Sequence, residues 1–169
     1  MAVSLRLTLY VDAVSELHLP KLARLLESKG FRVKTLPPAS VQASIVLGLG
    51  GAGEIVSRIR DIAFSNYLRG VCFELSAKLP RCPCSRNIVK VRGWTVCSDT
   101  YGNMQLYVKC GGRGGLVMVV LTGSLRDLTS PPHSIFTICR SAGEAGVLVE
   151  LVEKALNTLT SYVKSFINE

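Results

Sequence analysis

Leu5-Arg6-Leu7-Thr8-Leu9-Tyr10-Val11 is the stretch on which the fold turns. Apolar and polar residues alternate there with period two, so it reads as a strand with one buried face. A helix follows it. Pro20 suits its first turn, Leu22, Leu25 and Leu26 form its apolar stripe, and Gly30 is placed to stop it. Phe31–Leu36 alternates again, with Phe31, Val33 and Thr35 opposite Arg32 and Lys34, before Pro37-Pro38 breaks the chain. Ala43–Leu47 is a third strand with Ile45 and Leu47 inward. A second helix is expected over Glu54–Arg69 on Ile55, Ile59 and Ile62, closed by Gly70. Val71, Phe73 and Leu75 mark a fourth strand. The order βαββαβ is that of a ferredoxin-like arrangement.

Residues 78–87 carry two prolines and three positive charges and read as a connecting loop. Beyond them lie Ile88–Cys97, a turn at Asp99–Asn103, Met104–Cys110, a Gly111–Gly115 turn and Leu116–Leu121, an antiparallel meander. A polar loop spans Ser124–Pro132, and Ser134–Cys139 is a further short strand. Ser141 and Glu144 have capping-box spacing ahead of a helix whose apolar period runs from Val147 through Leu148, Leu151, Val152, Ala155, Leu156, Leu159 and Val163 to Phe166. The expectation is an α+β protein: a ferredoxin-like half at 1–77, a connection at 78–87, and an antiparallel sheet on a long C-terminal helix at 88–169. The halves form either two small domains or one continuous sheet.

The chain has 169 residues, 48% apolar and 19% charged, which excludes a disordered or collagen-like chain. It contains no run of about 18 apolar residues. Arg6 interrupts the place where a signal peptide would continue its apolar run, so a cytoplasmic protein is expected. The net charge of +8 is uneven. Residues 75–126 hold eight Lys/Arg against one acid, Asp99, giving +7, whereas residues 127–169 sum to −2. So one-sided a segment favours a polyanionic partner, and nucleic acid before a membrane, since no basic amphipathic helix accompanies it.

Six cysteines stand at 72, 82, 84, 97, 110 and 139. Cys82-Pro83-Cys84 is a CxC with no partner pair at zinc-ribbon spacing, and His18 and His133 are remote, so neither metal nor cofactor is expected. Cys72, Cys97, Cys110 and Cys139 lie in strand-like runs and read as buried free thiols. Arg outnumbers Lys and only two Gln occur, a composition that with the cysteines suits a thermophile, where intracellular disulfides are permitted.

Three constellations bear on function. Gly48-Leu49-Gly50-Gly51-Ala52-Gly53 is a GxGxxG between strand and helix, with Glu74 lying 21 residues beyond Gly53. Over Ala43–Glu74 this resembles the Rossmann dinucleotide-binding fingerprint. That resemblance implies a phosphate cradled by Gly48, Gly50, Gly51 and Gly53 at a helix N-terminus. The second constellation is the outer face of the N-terminal sheet, Arg6, Thr8 and Tyr10 with Arg32 and Lys34, where an open sheet can stack bases. The third is in the meander. Ile88, Lys90, Arg92, Trp94 and Val96 are expected on one side, with Trp94 opposite Lys109 and Val96 opposite Tyr107, so that cations and π-faces adjoin. Arg113 adds a charge in its glycine turn. Catalytic sets are thin: no GxSxG, no HxxxH and no paired carboxylates at helical spacing in a polar setting. The leading expectation is non-catalytic nucleic-acid binding, RNA before DNA. The rivals are a nucleotide- or phosphate-binding protein or enzyme using Gly48–Gly53, and a scaffold subunit docking a protein partner or a second copy through its C-terminal helix.

Overall fold

The computed structural model describes residues 3–84, 88–91, 93–101, 104–111, 114–120 and 138–167. The chain forms a mixed α/β protein with an antiparallel sheet and a C-terminal helix. The strands are β1 (Leu5–Ala13), β2 (Arg32–Leu36), β3 (Ser40–Leu47), β4 (Leu68–Leu79), β5 (Val89–Val91), β6 (Trp94–Tyr101), β7 (Met104–Gly111), β8 (Gly114–Val120) and β9 (Ile138–Ser141). The helices are α1 (Leu19–Ser28), α2 (Ala52–Ala63) and α3 (Ala145–Ile167). The nine described strands hydrogen-bond into one sheet, eight in the order β2-β3-β1-β4-β8-β7-β6-β5 and β9 off this path on β4, every pair antiparallel. β4 joins the two parts. One edge pairs with β1; the other pairs with β9 along Gly70–Phe73 and with β8 along Ser76–Leu79.

Period two in β1 sends Leu5, Leu7, Leu9 and Val11 to one face, each at most 1% exposed. Their partners across the ladder follow: Ala43 and Val41 of β3, and Leu75, Phe73 and Val71 of β4. Onto this face pack Leu22 and Leu26 of α1, Ile55, Ile59 and Ile62 of α2, and the buried stripe of α3, forming one core cluster. Fully burying each Leu or Ile is worth roughly 1.5–3 kcal/mol, so period-two and period-3.6 patterns stabilise the same core from both sides.

Helix ends follow local chemistry. Pro20 lies in the first turn of α1, and Gly30 beyond its last turn takes φ +91°, the left-handed conformation glycine favours. Arg58 of α2 donates to the Lys29 carbonyl at 3.1 Å, and Lys29 meets Asp61 at 2.9 Å, tying the end of α1 to α2. α2 stops at Ala63, not Arg69, because the inward period ends with Ile62 and Ala63 and the turn-forming Ser65-Asn66 follow. Gly70 accordingly does not cap a helix; it pairs with Asp12 inside the ladder.

The meander differs from its sequence reading in one consequential place. Ile88–Cys97 is not one strand. Gly93 takes φ +83° and the chain turns there, pairing Val91 with Trp94 and Lys90 with Thr95. β7 also pairs two residues further along than expected, with Val96 opposite Lys109 and Ser98 opposite Tyr107. α3 spans 23 residues and buries Leu148, Val149, Val152, Ala155, Leu156, Leu159 and Val163, so its apolar stripe is consumed by the core, with Val147 the large apolar side chain left exposed. No described helix is long and apolar enough to cross a membrane.

Candidate nucleic-acid interface

The second face of the sheet is partly buried: Thr8, Tyr10, Val96 and Tyr107 on it are each at most 8% exposed. On it stand the even-numbered residues of β1 and β4: Arg6, Thr8 and Tyr10 with Glu74, Ser76 and Lys78. Arg6 pairs with Val46 on one side and Ser76 on the other. Ser4, Arg6, Val46, Ser76 and Lys78 line a shallow cavity of about 350 Å³. Arg6 and Val46 also line a neighbouring cavity of about 400 Å³ that reaches Arg32 at the start of β2 and its β3 partner Ser44. Among the described residues neither Arg6 nor Lys78 has an acidic partner.

Register extends this row into the meander. Lys78 of β4 and Lys109 of β7 both pair with Leu116 of β8, so the two lysines stand two strands apart, roughly 10 Å. The Lys109 ammonium lies 4.1 Å from the centre of the Trp94 ring, a cation–π contact. Trp94, 36% exposed, rests on the backbone of Gly111: a Cβ there would come within 2.3 Å of the indole Cζ3. A glycine at this one position of β7 is what lets the ring lie down on the strand.

The structure therefore assembles part of the expected constellation and divides the rest. Trp94 and Lys109 adjoin, though through a shifted register. Lys90 belongs to the opposite face, where it donates to Thr95 Oγ1 at 2.6 Å, because the turn at Gly93 inverts the alternation. Tyr107 is 5% exposed and Tyr10 is 8% exposed, so neither offers a stacking platform. Tyr10 instead donates its hydroxyl to Glu74 at 2.9 Å. Burial, with this bond and the nearby carboxylate charge, pushes the Tyr10 pKa above the usual phenol range. Arg32 and Lys34 are exposed on β2, the edge strand, paired with Ser44 and Gln42. Arg92, Arg113 and His133 lie outside the described residues, as do the expected Ser124–Pro132 loop and the first part of the Ser134–Cys139 strand. Lys78 lies within β4, which runs to Leu79, and not in a connecting loop that begins at residue 78. The signal was present: Phe73, Leu75, Ala77 and Leu79 keep their alternation through Lys78.

The glycine turn does not build a dinucleotide site of the Rossmann kind. There the fingerprint joins neighbouring parallel strands, whereas β3 and β4 flank β1, each antiparallel to it. Glu74, the acid 21 residues beyond Gly53, is engaged by Tyr10 on the face opposite the core.

Among the described residues no cysteine is a free thiol. Cys82 is bonded to Cys110 and Cys84 to Cys97; Cys72 is disulfide-bonded too, and its register partner on β9 is Cys139. Strand-like surroundings predicted burial correctly for Cys97 and Cys110, but the register of β6 on β7 also brings them near one another under the CPC loop.

No protein-family model matches the chain, and no curated protein matches it. Among solved structures, LarC2 is similar over 93% of this chain and 96% of that one, at 11% identity and a TM-score of 0.27. It is the C-terminal domain of a cyclometallase involved in the synthesis of the NPN cofactor of lactate racemase, in the apo form. At that score the likeness carries no argument.

Proposed function

We propose that this protein is a non-catalytic binder of single-stranded nucleic acid, RNA before DNA, which uses the face of its sheet opposite the core. We read β1–β4 with α1 and α2 as a ferredoxin-like unit, from the βαββαβ order and the strand order β2-β3-β1-β4. Such a unit leaves one sheet face open to bases. The observation that carries the reading is the Trp94–Lys109 pair, its indole 36% exposed, at the end of a row that begins with Arg6 and Lys78, which have no acidic partner among the described residues. An exposed cation–π contact is worth about 0.5–1 kcal/mol, and a base stacked on an aromatic about 1–3 kcal/mol. A base can therefore displace the Lys109 ammonium from the ring, freeing that charge for a phosphate.

The test is fluorescence anisotropy of labelled oligouridylate and oligodeoxythymidylate across a salt series. Three neutralised phosphates give a log–log salt slope of about −2, and removing Arg6 and Lys78 together flattens it by roughly 1.4. Trp94→Ala weakens binding by ~1–3 kcal/mol with little change of slope, because stacking releases no counterions. Absence of binding to either oligomer at low salt, by a folded wild-type chain, rejects the reading.

A further inference from the structure

We propose that Cys82, Cys84, Cys97 and Cys110, once reduced, are the four ligands of a single zinc ion. Zinc in a closed structural site takes four sulfurs in a tetrahedron at Zn–S distances of about 2.3 Å, which sets each sulfur–sulfur edge at about 3.8 Å. The sulfurs of Cys84 and Cys110, which are not bonded to each other, lie 3.8 Å apart. Those of Cys82, Cys84 and Cys110 all lie within 4.8 Å of one another, and Cys97 is joined to Cys84. Three sulfurs thus already lie within 4.8 Å of one another, and the fourth, that of Cys97, is held beside them by its bond to Cys84. The linear spacing that argued against metal missed this, because the second ligand pair comes from two strands rather than from one loop.

The surroundings are built for close approach. Cys97 and Cys110 are held on adjacent strands, 6% and 7% exposed. Cys82 and Cys84 arrive on the segment leaving β4. Gly115 gives this segment room, since a Cβ there would stand 3.1 Å from Pro83 Cδ and 3.5 Å from Cys110 Sγ. A zinc tetrathiolate carries two net negative charges, and it would sit within the segment of charge +7, with Arg81 next to Cys82. Disulfides and zinc would fasten the same three segments, and the redox state of the surroundings selects between them. For each disulfide a dithiol reductant supplies two electrons and two protons and itself closes to a disulfide. The four thiols so formed release four protons as Zn²⁺ binds their thiolates.

The test uses the full chain, reduced with dithiothreitol, desalted without oxygen and titrated with Co²⁺. Expected are saturation at one ion per chain, the intense visible absorption of tetrahedral thiolate cobalt, and its loss on adding one equivalent of Zn²⁺. In the zinc-loaded chain, iodoacetamide mapping should find Cys82, Cys84, Cys97 and Cys110 protected and Cys72 not, and a chelator should expose all four. The oxidised chain should bind no cobalt in this way. If reduction unfolds the chain, one equivalent of zinc must restore its circular dichroism. No thiolate–cobalt absorption from the reduced chain overturns the proposal, as does protection of another set of cysteines or full absorption retained by Cys97→Ser. None of these outcomes depends on nucleic-acid binding.

Discussion

The chain has two glycine-rich turns, and they use glycine for opposite reasons. At Gly48–Gly53 the structure makes little demand on the residue: a Cβ at Gly48, Gly50 or Gly53 would meet nothing within 4 Å. At Gly111–Gly115 the neighbours crowd in: the Trp94 ring over Gly111, the Leu79 carbonyl 3.0 Å from a Cβ at Gly114, and Pro83 against Gly115. The turn that looks like a ligand motif is locally open. The one that looks like a plain hairpin is where indole, CPC loop and sulfurs converge. Motif resemblance reports local spacing, whereas close approach is a tertiary property and marks where the molecule is built tightly.

The largest effect on stability should come from Gly114→Ala. The obstructing atom is a backbone carbonyl of the paired strand β4, which cannot rotate away as a side chain would. Overpacking of this kind costs about 1–3 kcal/mol. A denaturation midpoint unchanged from wild type would mean that β8 and β4 slide apart freely, and the contrast between the turns would be lost.

Gly111→Ala should act on the site more than on the fold. The clash is with the indole, 36% exposed and free to swing outward, so stability should fall by only about 1 kcal/mol or less. Trp94 is the sole tryptophan, so its emission reports the displacement directly. A red-shifted spectrum with weaker oligouridylate binding is expected. An unchanged spectrum would show that the ring does not rest on the strand.

What sequence could reveal divides along the same line. Strands β1 to β4 were legible because their core is patterned locally: Leu5, Leu7 and Leu9 at period two, and Ile55, Ile59 and Ile62 at helical spacing. The meander was less so, because alternation continues through Lys90, Arg92 and Trp94 as if no turn intervened. Gly93 was the only local sign of one. A hairpin there makes Val91 and Trp94 cross-strand partners, so an error of one turn reassigned Lys90 to the wrong face. Trp94 and Lys109 survived a register error of two residues because faces repeat with period two. The sulfur cluster depends on Cys97 and Cys110 meeting across β6 and β7 and on the return of the CPC loop. No spacing rule contains that information.

The smallest effect, and the one that probes the open turn, is Gly53→Ala. Gly53 is the second residue of α2, exposed, with no neighbour within 4 Å of its would-be Cβ. Alanine lowers the entropy of the unfolded chain and has the better helix propensity, so the variant should be stabilised by roughly 0.5 kcal/mol. Gly50→Ala should leave stability nearly unchanged. The same pair decides whether the fingerprint binds a ligand, because a phosphate cradle needs backbone N–H groups approached without an intervening methyl. With the nucleic-acid reading in force, neither a mononucleotide nor a dinucleotide should raise the melting temperature of the wild type. A rise that Gly50→Ala or Gly53→Ala abolishes, with the fold intact, would show that the openness of this turn is room left for an anion, and the contrast drawn between the two turns would reverse.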